Sequence, residues 1–193
     1  MKILILYGTT EGQTRKIAGF ITERVSKQGH EAMAFDASHV PGLIDIHDFD
    51  GVVVAASLHL GRFQPSVVDF VRRHVSTIDR KPNAFVSVSL AALSLEADEL
   101  EGLRDCVRHF IAVTRWTPGN LHHAAGAFRF TEYDFFRRWA MKYIAYQHGI
   151  PVEAGEDREF TDWPALGHFI DKFLLEITQP ALQDYPGTAN FGG

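Results

Sequence analysis

Ile3-Leu4-Ile5-Leu6-Tyr7, running straight into Gly8-Thr9-Thr10-Glu11-Gly12-Gln13-Thr14, decides the fold. A short, unbroken apolar run suits a strand buried on both faces of a parallel sheet. The polar glycine loop ends it. Ile17, Ala18, Ile21 and Val25 then recur at helical spacing up to Gly29, a natural helix stop. Together they predict a strand, a tight turn and a helix.

The same alternation continues outward. Glu31 to Phe35 reads as a second strand, and residues 36–50, with Pro41 and Gly42, as a connection holding at most a short helix. Gly51-Val52-Val53-Val54-Ala55-Ala56 is the most strand-like run in the chain, and Pro65 to Thr77 carries Val67, Val68, Val71 and Val75 on one helical face. Ala84 to Ser89 predicts a fourth strand, followed by the helical pattern Leu100, Leu103, Val107, Phe110 and Ile111. Leu121 to Phe130 reads as the fifth. Asp162-Trp163-Pro164 predicts a helix start, with a capping aspartate and a proline in the first turn, and Ala165, Phe169, Phe173 and Leu174 continue it. The expectation is an α/β, doubly wound, five-stranded parallel sheet of order 2-1-3-4-5, joined by right-handed crossovers. One domain is expected over residues 1–178, with a helical insert at about 131–148, and a loose tail at 179–193.

Composition narrows the function. The chain has 193 residues, 46% apolar and 22% charged, with a formal net charge of -5. It lacks the basic footprint of a nucleic-acid binder. Cys106 is the lone cysteine, so no intramolecular disulfide can form and a reducing compartment is expected. Met1 to Leu6 is too short for the core of a secretion signal, and no stretch approaches the roughly 20 apolar residues of a membrane span. A cytoplasmic location follows as the expectation, with any membrane contact peripheral.

In an open parallel sheet, ligands bind beyond the carboxyl ends of the strands where the strand order reverses, here between strands one and three. The loop at 8–14 lies at that point. Thr9, Thr10, Gln13 and Thr14 offer side-chain donors, Gly12 lets the backbone turn closely, and the following helix adds free N–H groups and the positive end of its dipole. A phosphate fits such a neutral cradle, leaving Arg15 and Lys16 solvated. An ordinary turn whose threonines cap the helix fits it too. No G-x-x-x-x-G-K-[ST] and no G-x-G-x-x-G is present, which counts against ATP and dinucleotide sites. A phospho-acceptor domain would want an acidic pair where Tyr7-Gly8-Thr9 stands.

Y-G-T-T-E-G-Q-T-R-K-I-A at 7–18 resembles the FMN-phosphate loop of flavodoxins, and V-V-V-A-A-S-L-H-L-G-R-F at 52–63 and A-F-V-S-V-S-L at 84–90 resemble the other two ligand-facing loops, in order. A-S-L-H-L-G-R-F at 56–63, A-G-A-F-R-F at 125–130 and T-D-W at 161–163 bring the chain nearer to the menaquinone-dependent protoporphyrinogen oxidase branch of that superfamily, from Met1 to about Leu175. The resemblance implies a flavodoxin-like fold and an FMN cofactor held by Thr9, Thr10, Glu11, Gly12, Gln13 and Thr14. It also implies that Ser57, Leu58, His59, Leu60 and Gly61, with Ser89, Leu90, Ala91 and Ala92, line the isoalloxazine ring. No acid or base catalyst and no metal is assigned, because flavin carries the chemistry.

The same resemblance implies protoporphyrinogen IX as substrate and a menaquinone-like quinone as acceptor. His59, Arg62, Arg129 and Arg137 are then the candidates for placing the substrate. Arg129, Arg137, Arg138 and Lys142 are interleaved with Phe128, Phe130, Tyr133, Phe135, Phe136, Trp139, Tyr143 and Tyr146. Such a stretch suits a carboxylate-bearing macrocycle, the inner face of a membrane, its own domain, or a second copy in a homo-oligomer. One departure stands out: Leu93 to Gly102 reads L-S-L-E-A-D-E-L-E-G, where better-known bacterial members are rich in Lys and Arg. A flavodoxin-type electron carrier and a flavin-free interaction domain remain as alternatives.

Overall fold

The computed structural model describes residues 1–42, 44–93, 97–128 and 158–179. Five parallel strands form the sheet: β1 (Lys2–Gly8), β2 (Glu31–Asp36), β3 (Gly51–His59), β5 (Asn83–Ser89) and β6 (Asn120–Ala125), with a short β4 (Arg62–Phe63) folded back on β3. The spatial order of the five is β2-β1-β3-β5-β6, the expected 2-1-3-4-5 arrangement with the reversal between β1 and β3. Among the described residues, four helices cover it: α1 (Gln13–Lys27), α2 (Pro65–Ile78), α3 (Ala97–Thr114) and α4 (Trp163–Thr178).

Because side chains alternate along a strand, β1 feeds two cores. Ile3 and Ile5 pack with Ile17, Ile21 and Val25 of α1 and with Leu166, Ile170 and Phe173 of α4. Leu4 and Leu6 pack on the other face with Val67 and Val71 of α2 and with Val107 and Phe110 of α3. All four β1 side chains are at most 1% exposed, which is why the run carries no polar residue.

Helix boundaries follow local chemistry. Gly29, at φ 79°, ends α1: its N–H donates to Ser26 O, and the next N–H, of His30, donates to Val25 O. This is the paired C-terminal bonding that a left-handed residue permits. Asp162 caps α4 by accepting from Ala165 N at 2.9 Å, with Pro164 in the first turn.

Two expectations require correction. The fifth strand does not run from Leu121 to Phe130: β6 stops at Ala125, and β7 (Ala127–Phe128) pairs antiparallel with β8 (Arg158–Glu159) in a separate small sheet. Buried Gly126 is the junction, its N–H donating to Ser89 O and its carbonyl accepting from Phe160 N, both at 3.2 Å. The third strand, conversely, runs past Ala56 to His59 before it turns back into β4. The insert at 131–148 and the tail beyond residue 179 lie outside the described residues.

Candidate functional site

Gly8, His59, Ser89 and Ala125 mark the carboxyl ends of β1, β3, β5 and β6, and the candidate loops leave from the first three. In the first loop Gly12 sits at φ 91° and takes the position before α1 without a side-chain cap. Its N–H donates instead to Thr9 Oγ1 at 2.9 Å, closing the loop on itself. Thr10 is exposed, and Thr14 is fully buried in the first turn of α1. The Thr14 hydroxyl has no hydrogen-bond partner among the described residues. An unpaired buried hydroxyl costs about 1–3 kcal/mol, which an anionic oxygen seated in the loop would offset.

Gln13, expected as a side-chain donor to the ligand, has a partner within the fold. Its side chain is only 7% exposed and Nε2 donates to Thr161 Oγ1 at 2.8 Å, while Thr161 Oγ1 donates onward to Ala125 O at 2.8 Å. The chain of bonds ties the loop to the end of β6. Lys16, expected in solvent, reaches Glu159 Oε2 at 3.1 Å across an exposed pair.

The second loop is a two-residue hairpin. Leu58 pairs with Phe63 and His59 with Arg62, leaving Leu60 and Gly61 at the tip with φ 49° and 75°. Positive φ at both tip positions is the turn geometry that matches strand twist, and it is common for glycine and uncommon for leucine. Leu60 is 80% exposed. A bulky apolar side chain is thus held out on a constrained tip beside the mouth of the site.

In the third loop, Leu90–Leu93 form one turn of 3-10 helix in which Leu90, Ala91 and Ala92 are half-buried. Ser89 is buried at its start, and its hydroxyl has no partner among the described residues. The acidic stretch after it has a local explanation. Asp98 and Glu99 occupy the first turn of α3, where negative charge suits the helix dipole, and Glu101 pairs with Arg104 at 3.1 Å and Arg108 at 2.7 Å. Hydrogen bonds from Arg108 and then Arg104 hold the Glu101 carboxyl below its ordinary range.

Sequence reasoning missed Gln64. Its Nε2 donates to Thr10 Oγ1 at 3.0 Å and to Ser57 Oγ, bridging the first two loops. Gly8 makes room for it: a Cβ there would lie 2.4 Å from Val67 Cγ2 and 3.1 Å from Gln64 Oε1. No local pattern marks such a residue, because its partners are set by the fold. Arg62 is exposed on the hairpin, whereas Arg129 and Arg137 lie outside the described residues.

Thr9, Thr10, Ser57 and Ser89 bring hydroxyls to three segments at the reversal of a parallel sheet, the first of which opens a helix, and such an arrangement could hold a phosphorylated, ring-bearing ligand. The residues fit FMN: Thr10, Thr14 and the N–H groups of α1 would hold its phosphate, and the loops after β3 and β5 its ring. The flavodoxin-domain family model matches residues 4–152, and the chain belongs to that family.

Among curated proteins it is similar to the protoporphyrinogen IX dehydrogenase (quinone) of Escherichia coli strain K12, 28% identical over 185 residues, covering 95% of this chain and 100% of that protein. The protein of the same name from Leishmania major is 27% identical over 172 residues, covering 89% and 74%. Among solved structures, a short-chain flavodoxin associated with a PDU bacterial microcompartment superposes with a TM-score of 0.56 at 16% identity, covering 92% of this chain and 99% of that one. Oxidised flavodoxin 1 from Bacillus cereus gives 0.53 at 14% identity, covering 90% and 97%. These two share the fold. No helix among the described residues is long and apolar enough to cross a membrane.

Proposed function

We propose that this chain is an FMN-dependent oxidoreductase that dehydrogenates protoporphyrinogen IX to protoporphyrin IX and delivers the electrons to a menaquinone-like quinone. The observation that carries this reading is the similarity along 95% of the chain to enzymes of that name, with the whole length of the bacterial one aligned. It is supported by a site whose donors are neutral and whose rim presents an apolar tip. When bound, FMN supplies the exchange of hydride and electron equivalents between the macrocycle and the quinone.

The protein's own groups bind and orient. Thr9, Thr10, Gly12 and Thr14 hold the phosphate end. Ser57 to Gly61 and Ser89 to Ala92 flank the ring, and Leu60 offers apolar surface to a flat macrocycle. His59 and Arg62, at the base of the hairpin, with Arg129 and Arg137, meet the substrate's carboxylates, for which guanidinium groups are suited. Residues 1–178 act as one domain on the cytoplasmic side, in peripheral contact with the membrane that holds the quinone.

The test is anaerobic turnover. FMN-loaded protein given protoporphyrinogen IX and menaquinone should develop porphyrin fluorescence in proportion to the quinone supplied. Flavin binding without porphyrin formation would instead favour an electron carrier that docks to a protein partner.

A further inference from the structure

Gln64 takes the position before α2, where a side chain commonly caps the helix, yet it makes no capping hydrogen bond. Its amide nitrogen points the other way, to Thr10 Oγ1 on the first loop and Ser57 Oγ near the end of β3. A primary amide nitrogen has two hydrogens and accepts nothing, so these contacts engage both hydrogens. Each hydroxyl therefore accepts from Gln64 and keeps its own proton for another acceptor. The amide oxygen is buried against Gly8 without a hydrogen-bond partner among the described residues, so the side chain is held by its nitrogen alone.

We infer that Gln64 is a positioning residue that sets the proton polarity of the site: by donating to both Thr10 and Ser57, it makes both hydroxyls donors toward the ligand. The ligand this suits has acceptor atoms at two separated places, an anionic phosphoryl group by the first loop and the acceptor-rich edge of a conjugated ring by the second. The inference rests on the flavin reading above and adds a residue that reads both ends of the ligand at once. Because an isolated hydroxyl rotates freely between donor and acceptor roles, fixing its direction beforehand removes an ordering cost on binding.

The test is a mutant cycle read by FMN affinity, using quenching of flavin fluorescence. Gln64→Met keeps the length of the side chain and removes the donors. It should weaken FMN binding about tenfold, the scale of one hydrogen bond to a charged group. In a Thr10→Val/Ser57→Ala background, which lacks both hydroxyls, the same change should alter affinity less than about twofold. A tenfold loss that persists in that background would mean Gln64 acts by packing and would overturn the inference. So would undiminished affinity in Gln64→Met.

A second variant checks polarity with an uncharged ligand. Gln64→Glu turns the donor into an acceptor and draws both hydroxyl protons inward, so riboflavin should bind it at least as weakly as it binds Gln64→Met; unchanged riboflavin affinity would contradict the assignment. Wild-type protein that takes up no FMN sinks the cofactor reading itself. Wild-type uptake with an additive cycle sinks only the part given to Gln64.

Discussion

Gly8 shows how closely one residue can be constrained. Its missing Cβ is the space into which Val67 Cγ2 and Gln64 pack, and any side-chain carbon there would stand only 2.4 Å from the valine methyl. Gly8→Ala is expected to destabilise the fold by about 1–3 kcal/mol through overpacking, measured as a lower urea midpoint, and to weaken FMN binding by displacing Gln64. His122 offers a pH handle. It lies on β6 with its ring 5.0 Å from that of Phe169, and burial, with a smaller push from His123 against a pull from Asp162, moves its pKa below the ordinary 6.5. A base with a depressed folded pKa contributes full stability above the unfolded value of 6.5 and loses it as pH falls through the folded one. His122→Phe, which keeps the ring, should therefore flatten the fall in urea midpoint between pH 7 and about pH 5. An unchanged pH slope would show that His122 does not contribute to it. Neither residue could be assigned this way from its neighbours in the chain, since Gly8 looks like any loop glycine until α2 is laid beside it.

Elements were legible where local chemistry decides them. The run Ile3 to Tyr7, the stop at Gly29 and the cap at Asp162 all formed as their residue types require, because strand burial, a left-handed C-terminal residue and a capping carboxylate are local effects. The β3–β4 hairpin was not legible, because its tip places Leu60 in a conformation that turn chemistry reserves for glycine and asparagine. The break at Gly126 was equally hidden, since an unbroken apolar and small-residue run gives no sign that β7 leaves for β8. Gln13 bonds to Thr161, 148 residues away, and only the fold brings them together. Thr161→Val should leave both the Gln13 amide and the Ala125 carbonyl short of a partner. A loss of about 1–3 kcal/mol in stability is expected by urea denaturation, with weaker FMN retention. Arg129→Ala and Arg137→Ala should raise the KM for protoporphyrinogen IX severalfold while leaving FMN affinity unchanged. Turnover at the wild-type KM would refute their assignment.

At the scale of the whole molecule, the described residues form a parallel sheet between two helical layers, and that architecture explains why separate stretches of sequence meet. Strands β1, β3 and β5 are neighbours in space although each is followed by its own crossover, so the loops at 9–12, 60–61 and 90–93 emerge along one edge. The order of strands was readable from the alternation of elements, and with it the edge along which the three candidate loops leave the sheet. What the alternation did not convey is how the first loop is tied to its surroundings: Gln64 joins Thr10 to Ser57 of β3, and Thr161 joins Gln13 to the end of β6. Family membership agrees with this arrangement, and the redox assignment depends on the sheet's edge accepting a flavin nucleotide.

Fluorescence titration of FMN into the purified, folded protein tests that dependence most directly. Saturable quenching at one FMN per chain is predicted, with a yellow complex that survives removal of free flavin and a much weaker response to riboflavin, which lacks the phosphate. Folded protein that shows no saturable uptake of FMN would contradict the account.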